Sequence, residues 1–117
     1  MRRLVEVRSY QLAANTRPAF HDAMTREAVP MIRADGMDVV AFGPSSHDDD
    51  AYYLVRSYRD LDDLRSRQDR FYSSTAWREG PQRALLSRIE HYLNTVLWLS
   101  PVAIASLREE NASLPGR

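Results

Sequence analysis

The chain has 117 residues, 44% of them hydrophobic, enough for one compact core and too few for two ordinary domains. Sixteen Lys plus Arg balance sixteen Asp plus Glu, so no net field draws the molecule to nucleic acid or anionic lipid, and the lack of cysteine removes disulfides, thiolate nucleophiles and Cys-based zinc sites and suits a reducing cytoplasm. The apolar run in MRRLVEV stops at Glu6, short of a secretion-signal core, and apolar stretches such as Val96 to Leu99 are a fraction of a membrane span; the expectation is a soluble, cytoplasmic protein with no membrane or nucleic-acid partner.

LVEVRSYQL alternates Val5, Val7 and Ser9 with Leu4, Glu6, Arg8, Tyr10 and Leu12, a period of two that predicts a strand. The period then changes: Phe20, Met24, Ala28, Met31 and Ile32 fall on one helical face, with Thr16 to cap the start and Gly36 to end it. Pro30 lies inside this pattern, where a missing backbone donor predicts a kink or an early stop. MDVVAFG and AYYLVRSY predict two strands of a hairpin joined by PSSHDDD, whose residues favour turns. Leu61, Leu64, Gln68, Phe71 and Tyr72 form a helical stripe, and TAWREGPQRALLSR continues it around a break at Gly80 and Pro81. IEHYLNTVLWL has strand character. Residues 1–101 are thus expected to form one domain, followed by a C-terminal tail, 102–117, to which the pattern assigns no element.

The tetrapeptide VRSY occurs at Val7 to Tyr10 and again at Val55 to Tyr58. With elements in the order strand, helix, strand, strand, helix, strand, each copy opens one strand-helix-strand half. That predicts an α+β, ferredoxin-like βαββαβ fold, its antiparallel sheet having the two VRSY strands as central neighbours and both helical segments on one face. Sheet alternation suggests that the smaller set, Val5, Val7, Ser9, Tyr53, Val55, Ser57, Ile89, Leu93 and Leu97, lies under the helices. The other face would then carry Glu6, Arg8, Tyr10, Tyr52, Arg56, Tyr58, Glu90, Tyr92, Asn94 and Trp98. That mixture is too aromatic to stay wet, so a second copy is expected to cover it, giving a homodimer.

VEVRSYQL, AVPMIRADG, LVRSYRDLDDLRSRQDRFYSSTAW and NTVLWLSP resemble the NIPSNAP family over residues 4–102. The resemblance implies the dimeric α/β barrel form of the ferredoxin-like fold and a homodimer of undefined biochemical activity. It also places the chain beside cofactor-independent monooxygenases, haem-degrading enzymes and small-molecule isomerases, so the fold hosts chemistry without dictating it.

Arg8 and Arg56 are equivalent residues of the two repeats and should lie close together, with Glu6 and Glu90 as counterions. Two readings stay open. One is a buried network that fixes dimer register; the other is an anion clamp for a carboxylate or phosphate, with Tyr10 and Tyr58 as hydrogen-bonding walls. His21 on the first helix and His91 on the last strand are expected to face each other across a cleft between helices and sheet and to border a small-organic-ligand site. In a monooxygenase or isomerase they would transfer protons with nearby tyrosines. No His spacing suits a metal, and neither metal nor cofactor is expected. Trp77 is expected to anchor the broken helix by core packing.

Overall fold

The alternation at the start of the chain becomes β1 (Arg3–Leu12) in a computed structural model that describes residues 1–117. It is followed by α1 (Arg17–Ala23), a π-helical segment (Met24–Ala28), α2 (Val29–Ala34), β2 (Asp38–Pro44), β3 (Ala51–Tyr58), α3 (Leu61–Tyr72), α4 (Thr75–Glu79), α5 (Gln82–Leu86), β4 (Ile89–Leu99) and α6 (Pro101–Ala112). The strands form one antiparallel sheet in the order β2-β3-β1-β4, the ferredoxin-like arrangement. Val7 stands directly opposite Val55. The two VRSY copies therefore run antiparallel about that pair as central strands, which is the structural meaning of the repeat.

Local chemistry accounts for the helix boundaries. Pro18 falls at the start of α1, where a missing donor costs nothing, and Gly36, at φ 97°, follows α2 in the left-handed conformation glycine tolerates. Asp60, Ser74 and Ser100 cap α3, α4 and α6 by accepting the backbone N–H groups of Asp63, Trp77 and Ala103. Thr16 does not cap α1; its hydroxyl donates to the Ala13 carbonyl at 2.7 Å. Pro30 does not stop the helix. The turn ahead of it widens to π geometry, the Val29 N–H donating to Met24 O, which gives the proline ring room against the preceding carbonyls. Gly80 and Pro81 do break the second helical region, between α4 and α5.

The face assignment expected from alternation is reversed. Tyr10, Leu12, Tyr52, Leu54 and Tyr58 are buried in one cluster with Phe20, Met24 and Ile32 of the first helical segments and Phe71, Trp77 and Leu85 of α3 to α5. Glu6, Arg8 and Arg56 share that face, being cross-strand partners or alternate neighbours of those tyrosines and leucines. Val5 and Val55 lie on the other face with Val40, Ala41 and Ile104 of α6. The large rings fill the layer under α1 to α5, while the small residues Val5, Val40, Ala41 and Val55 pack against Ile104 of α6. On β1 and β3 the aromatic and charged surface that was expected to need a partner chain is covered by the protein's own helices; on β4, Tyr92 and Trp98 each remain 50% exposed.

Residues 101–112, to which the pattern assigned no element, form α6 on the open face. Ile104 is buried there, Arg108 grips Asp38 at 2.7 and 2.9 Å, and Asn111 bonds both backbone groups of Phe42, accepting its N–H at 3.3 Å and donating to its carbonyl at 3.0 Å. Since β2 is a sheet edge, the Asn111 amide occupies edge groups that would otherwise be free to pair.

Candidate functional site

Between the helix layer and the sheet lies a cavity of about 360 Å³, set over β1 and β4. Its walls are largely apolar: Phe20 and Met24 on one side, Trp77, Leu85 and Leu86 on another, Ile89 at the sheet. Trp77 is 5% exposed and stands 5.4 Å from the Phe71 ring and 5.2 Å from that of Tyr72, so it anchors the broken helix as expected while also forming cavity wall. Leu86 is 52% exposed and marks the mouth. Arg8, Tyr10, Gln68, Tyr72 and Tyr92 supply the polar groups of the floor, and Gln82 of α5 adds one polar side chain apart from them.

Beneath this floor runs a buried network centred on Glu6. One carboxylate oxygen, Oε1, accepts from Arg56 Nε at 3.0 Å and has Arg56 Nη2 in ion-pair contact at 2.8 Å, and the other, Oε2, accepts from Gln68 Nε2 at 2.8 Å and Arg8 Nη2 at 3.4 Å. Arg56 Nη1 donates to the Tyr72 hydroxyl at 2.9 Å, and Gln68 Nε2 also reaches the Tyr58 hydroxyl at 3.1 Å. Arg56 Nη2 is fully buried and, although close to Glu6, makes no well-aligned hydrogen bond, because both guanidinium nitrogens crowd one oxygen. Arg8 spreads its donors more thinly: Nε to Asn94 Oδ1 at 2.9 Å, Nη2 to Glu6 and to Gln68 Oε1, both at 3.4 Å, with its plane 4.3 Å from the centre of the Tyr92 ring. Burial pushes the Tyr10 hydroxyl up to about 12, helped by Tyr72 and opposed by Arg8 and Arg56; burial also lifts Tyr58 to about 12 against the pull of Arg56. Both phenols are therefore protonated at neutral pH and act as hydrogen-bonding groups rather than bases.

The six residues singled out from sequence divide by place. Arg8 and Tyr10 line the cavity, and Arg56 and Tyr58 lie behind its floor. His21 is on α1 but outside the cavity, its Nδ1 2.6 Å from the Tyr52 hydroxyl; desolvation, reinforced by Arg117 against Asp22, lowers its pKa. His91 is on the opposite, open face. His91, opposite Gln11, keeps the parity of Leu93 and Leu97 and goes with them to the open face because the face assignment is reversed; the bulge beyond it pairs Leu12 with Ile89 and so turns Ile89 to the cavity side. The two histidines do not meet. Glu90 falls in the same bulge, exposed, and salt-bridges neither arginine; Glu6 alone serves both. Gln68, Tyr72 and Asn94 were not singled out as site residues. Gln68 had a legible signal, a polar side chain in the apolar stripe of α3, and Asn94 is the direct cross-strand partner of Arg8.

No protein-family model matches the sequence, and no curated protein does. Solved structures do match. An uncharacterized NIPSNAP domain protein from Burkholderia xenovorans superposes with a TM-score of 0.73 at 19% identity, covering 84% of this chain and 95% of that one. A NIPSNAP family protein of unknown function from Agrobacterium tumefaciens reaches 0.76 at 19% identity, over 85% and 92%. A protein from Nitrosomonas europaea assigned to antibiotic biosynthesis monooxygenases aligns more distantly, at 0.56 and 12% identity over 85% and 98%. At these identities the likeness is one of fold: the chain has the ferredoxin-like fold of the NIPSNAP structures, as the sequence resemblance implied.

Proposed function

We propose that this protein is a homodimer that binds a small organic molecule in the cavity between its helix layer and its sheet. The observation that carries the reading is the cavity itself: about 360 Å³, walled by apolar side chains, with a few polar groups converging at one end. Those are the usual features of an organic-ligand site.

The dimer is proposed on the open face. Its β4 residues Leu93 and Leu97 are 72% and 38% exposed, and α6 covers the β2 and β3 side of the sheet but leaves β4 bare. A second sheet laid against this face would bury them. The monooxygenase or isomerase reading is supported by the distant fold likeness; the proton-transfer pair once expected for it, His21 and His91, is not assembled.

The test is a thermal-shift screen of small aromatic and branched aliphatic compounds on the wild-type protein and on Leu86→Trp, which narrows the cavity mouth. Compounds that raise the Tm of the wild type and not of the variant place the ligand in the cavity. A screen in which the two proteins respond alike to every compound would overturn the assignment.

A further inference from the structure

We infer that the ligand is a monocarboxylate with an apolar body, its carboxylate seated on Arg8 between the hydroxyls of Tyr10 and Tyr72. This rests on the cavity being a small-molecule site and adds the charge and polarity of what enters it.

The first argument is charge. Two buried guanidiniums, of Arg8 and Arg56, share one carboxylate, that of Glu6, and Arg8 is the only charged residue that lines the cavity. One positive charge is left over, in a place where ions are poorly solvated. Glu6 is already committed to Arg56 by its two shorter contacts and reaches Arg8 only at 3.4 Å. Arg8 is therefore the cation in want of a counterion, and it is 93% buried, being 7% exposed.

The second argument is the sense of the hydrogen bonds. Arg8 Nη1 has no well-aligned acceptor in the chain. Tyr72 Oη accepts from Arg56, and the Tyr10 oxygen has Arg8 as its charged hydrogen-bonding neighbour; an oxygen that faces a guanidinium acts as acceptor, which leaves each O–H free to donate. Three donors thus converge on the polar end of the cavity with no acidic side chain among the lining residues. Such an end suits an acceptor-only group. One excess charge matches a carboxylate; a phosphate dianion would leave the buried cluster negative by about as much as it is now positive. The Phe20, Met24, Trp77, Leu85 and Ile89 walls then take an aromatic or branched hydrocarbon body.

The experiment compares 3-phenylpropionate with its uncharged isostere 3-phenylpropionamide, and inorganic phosphate as competitor, by calorimetry and amide chemical-shift mapping on the wild-type protein. The acid should bind about tenfold tighter than the amide or better, the advantage of a charge-assisted hydrogen bond over a neutral one. Its shifts should centre on Gln82, Leu85 and Tyr92, and phosphate should not displace it. Arg8→Gln should bring the two affinities together. Should Arg8→Gln fail to fold, Tyr10→Phe, which removes one hydroxyl donor and leaves the Arg8 charge in place, should narrow the acid-to-amide ratio severalfold. Equal binding of acid and amide in the cavity overturns the carboxylate inference and leaves the small-molecule site standing. Failure of both to bind, alongside a screen that finds cavity ligands of other chemistry, overturns it as well, and failure of every compound overturns both readings. Displacement by phosphate makes the site one for inorganic anions and overturns the apolar body.

Discussion

Glu6 holds two guanidiniums at once, and the contacts are unequal. Arg56 is fully buried and engages Glu6 at 2.8 and 3.0 Å, while Arg8 is slightly exposed and engages it at 3.4 Å. Removing one partner of a buried pair leaves the other charge stranded, at a cost of about 3–5 kcal/mol, whereas replacing both by neutral groups is often tolerated. Arg56→Met should therefore destabilise the protein by that amount in urea unfolding, and Arg56→Met with Glu6→Gln should recover a substantial part. Arg8→Met should cost less than Arg56→Met, since it leaves Glu6 still paired with Arg56. A larger loss for Arg8→Met, or no recovery in the double variant, would show that Glu6 is not the hub of the network.

At the level of elements, α6 is fastened to the edge strand β2 by two devices that fail differently. Asn111 is 5% exposed and satisfies both the N–H and the carbonyl of Phe42; Asn111→Ala leaves these groups without that partner and should cost about 1–3 kcal/mol at any pH. The second device is Asp38. Burial opposes its ionisation, but hydrogen bonds from Arg108 and Ser57, with the charges of Arg108 and Arg3, outweigh burial and hold its carboxyl below the ordinary 3.8. A depressed folded-state pKa stabilises above the unfolded value, and that contribution is lost as pH falls through the folded value. The Tm gap between wild type and Asp38→Asn should accordingly be steady near neutrality and close as pH drops below about 4. A gap that stays open at pH 2 would mean that the Asp38 contacts with Arg108 and Ser57 do not depend on its charge.

For the molecule as a whole, the sheet presents opposite economies on its two sides. One is covered by helices over β1 and β3, across a layer of rings and buried charge, with Tyr92 and Trp98 of β4 half exposed at its margin; the other is part covered by α6 and otherwise leaves Leu93 and Leu97 to water. If the proposed dimer forms there, light scattering after size exclusion should give about twice the 13.5 kDa chain mass, and Leu93→Asp should return the species to a monomer with an unchanged circular dichroism spectrum. A wild-type monomer at micromolar concentration would remove the dimer from the proposal without touching the cavity.

Element order, the hairpin, the broken second helical region and the central pairing of the two VRSY strands were all legible in the linear chain, because periodicity, turn residues and an internal repeat are local signals. The closeness of Glu6, Arg8 and Arg56 was legible too, since same-parity positions on neighbouring strands share a face. Which face that is was not. Alternation separates two sets of residues but carries no sign, and the sign was set by which set packs with the helices, where Tyr10, Tyr52 and Tyr58 join Phe20, Phe71 and Trp77 in one buried cluster. The same limit governed His91, which follows Leu93 and Leu97 to the open face, whereas Glu90 and Ile89 fall at one bulge, where β4 meets the end of β1, which shifts the parity that the sequence alone extends unbroken. Gln68 reached the site from a helix about sixty residues away in the chain, 62 positions from Glu6, and no local pattern couples residues at that distance; the packing of α3 on the sheet brought them together.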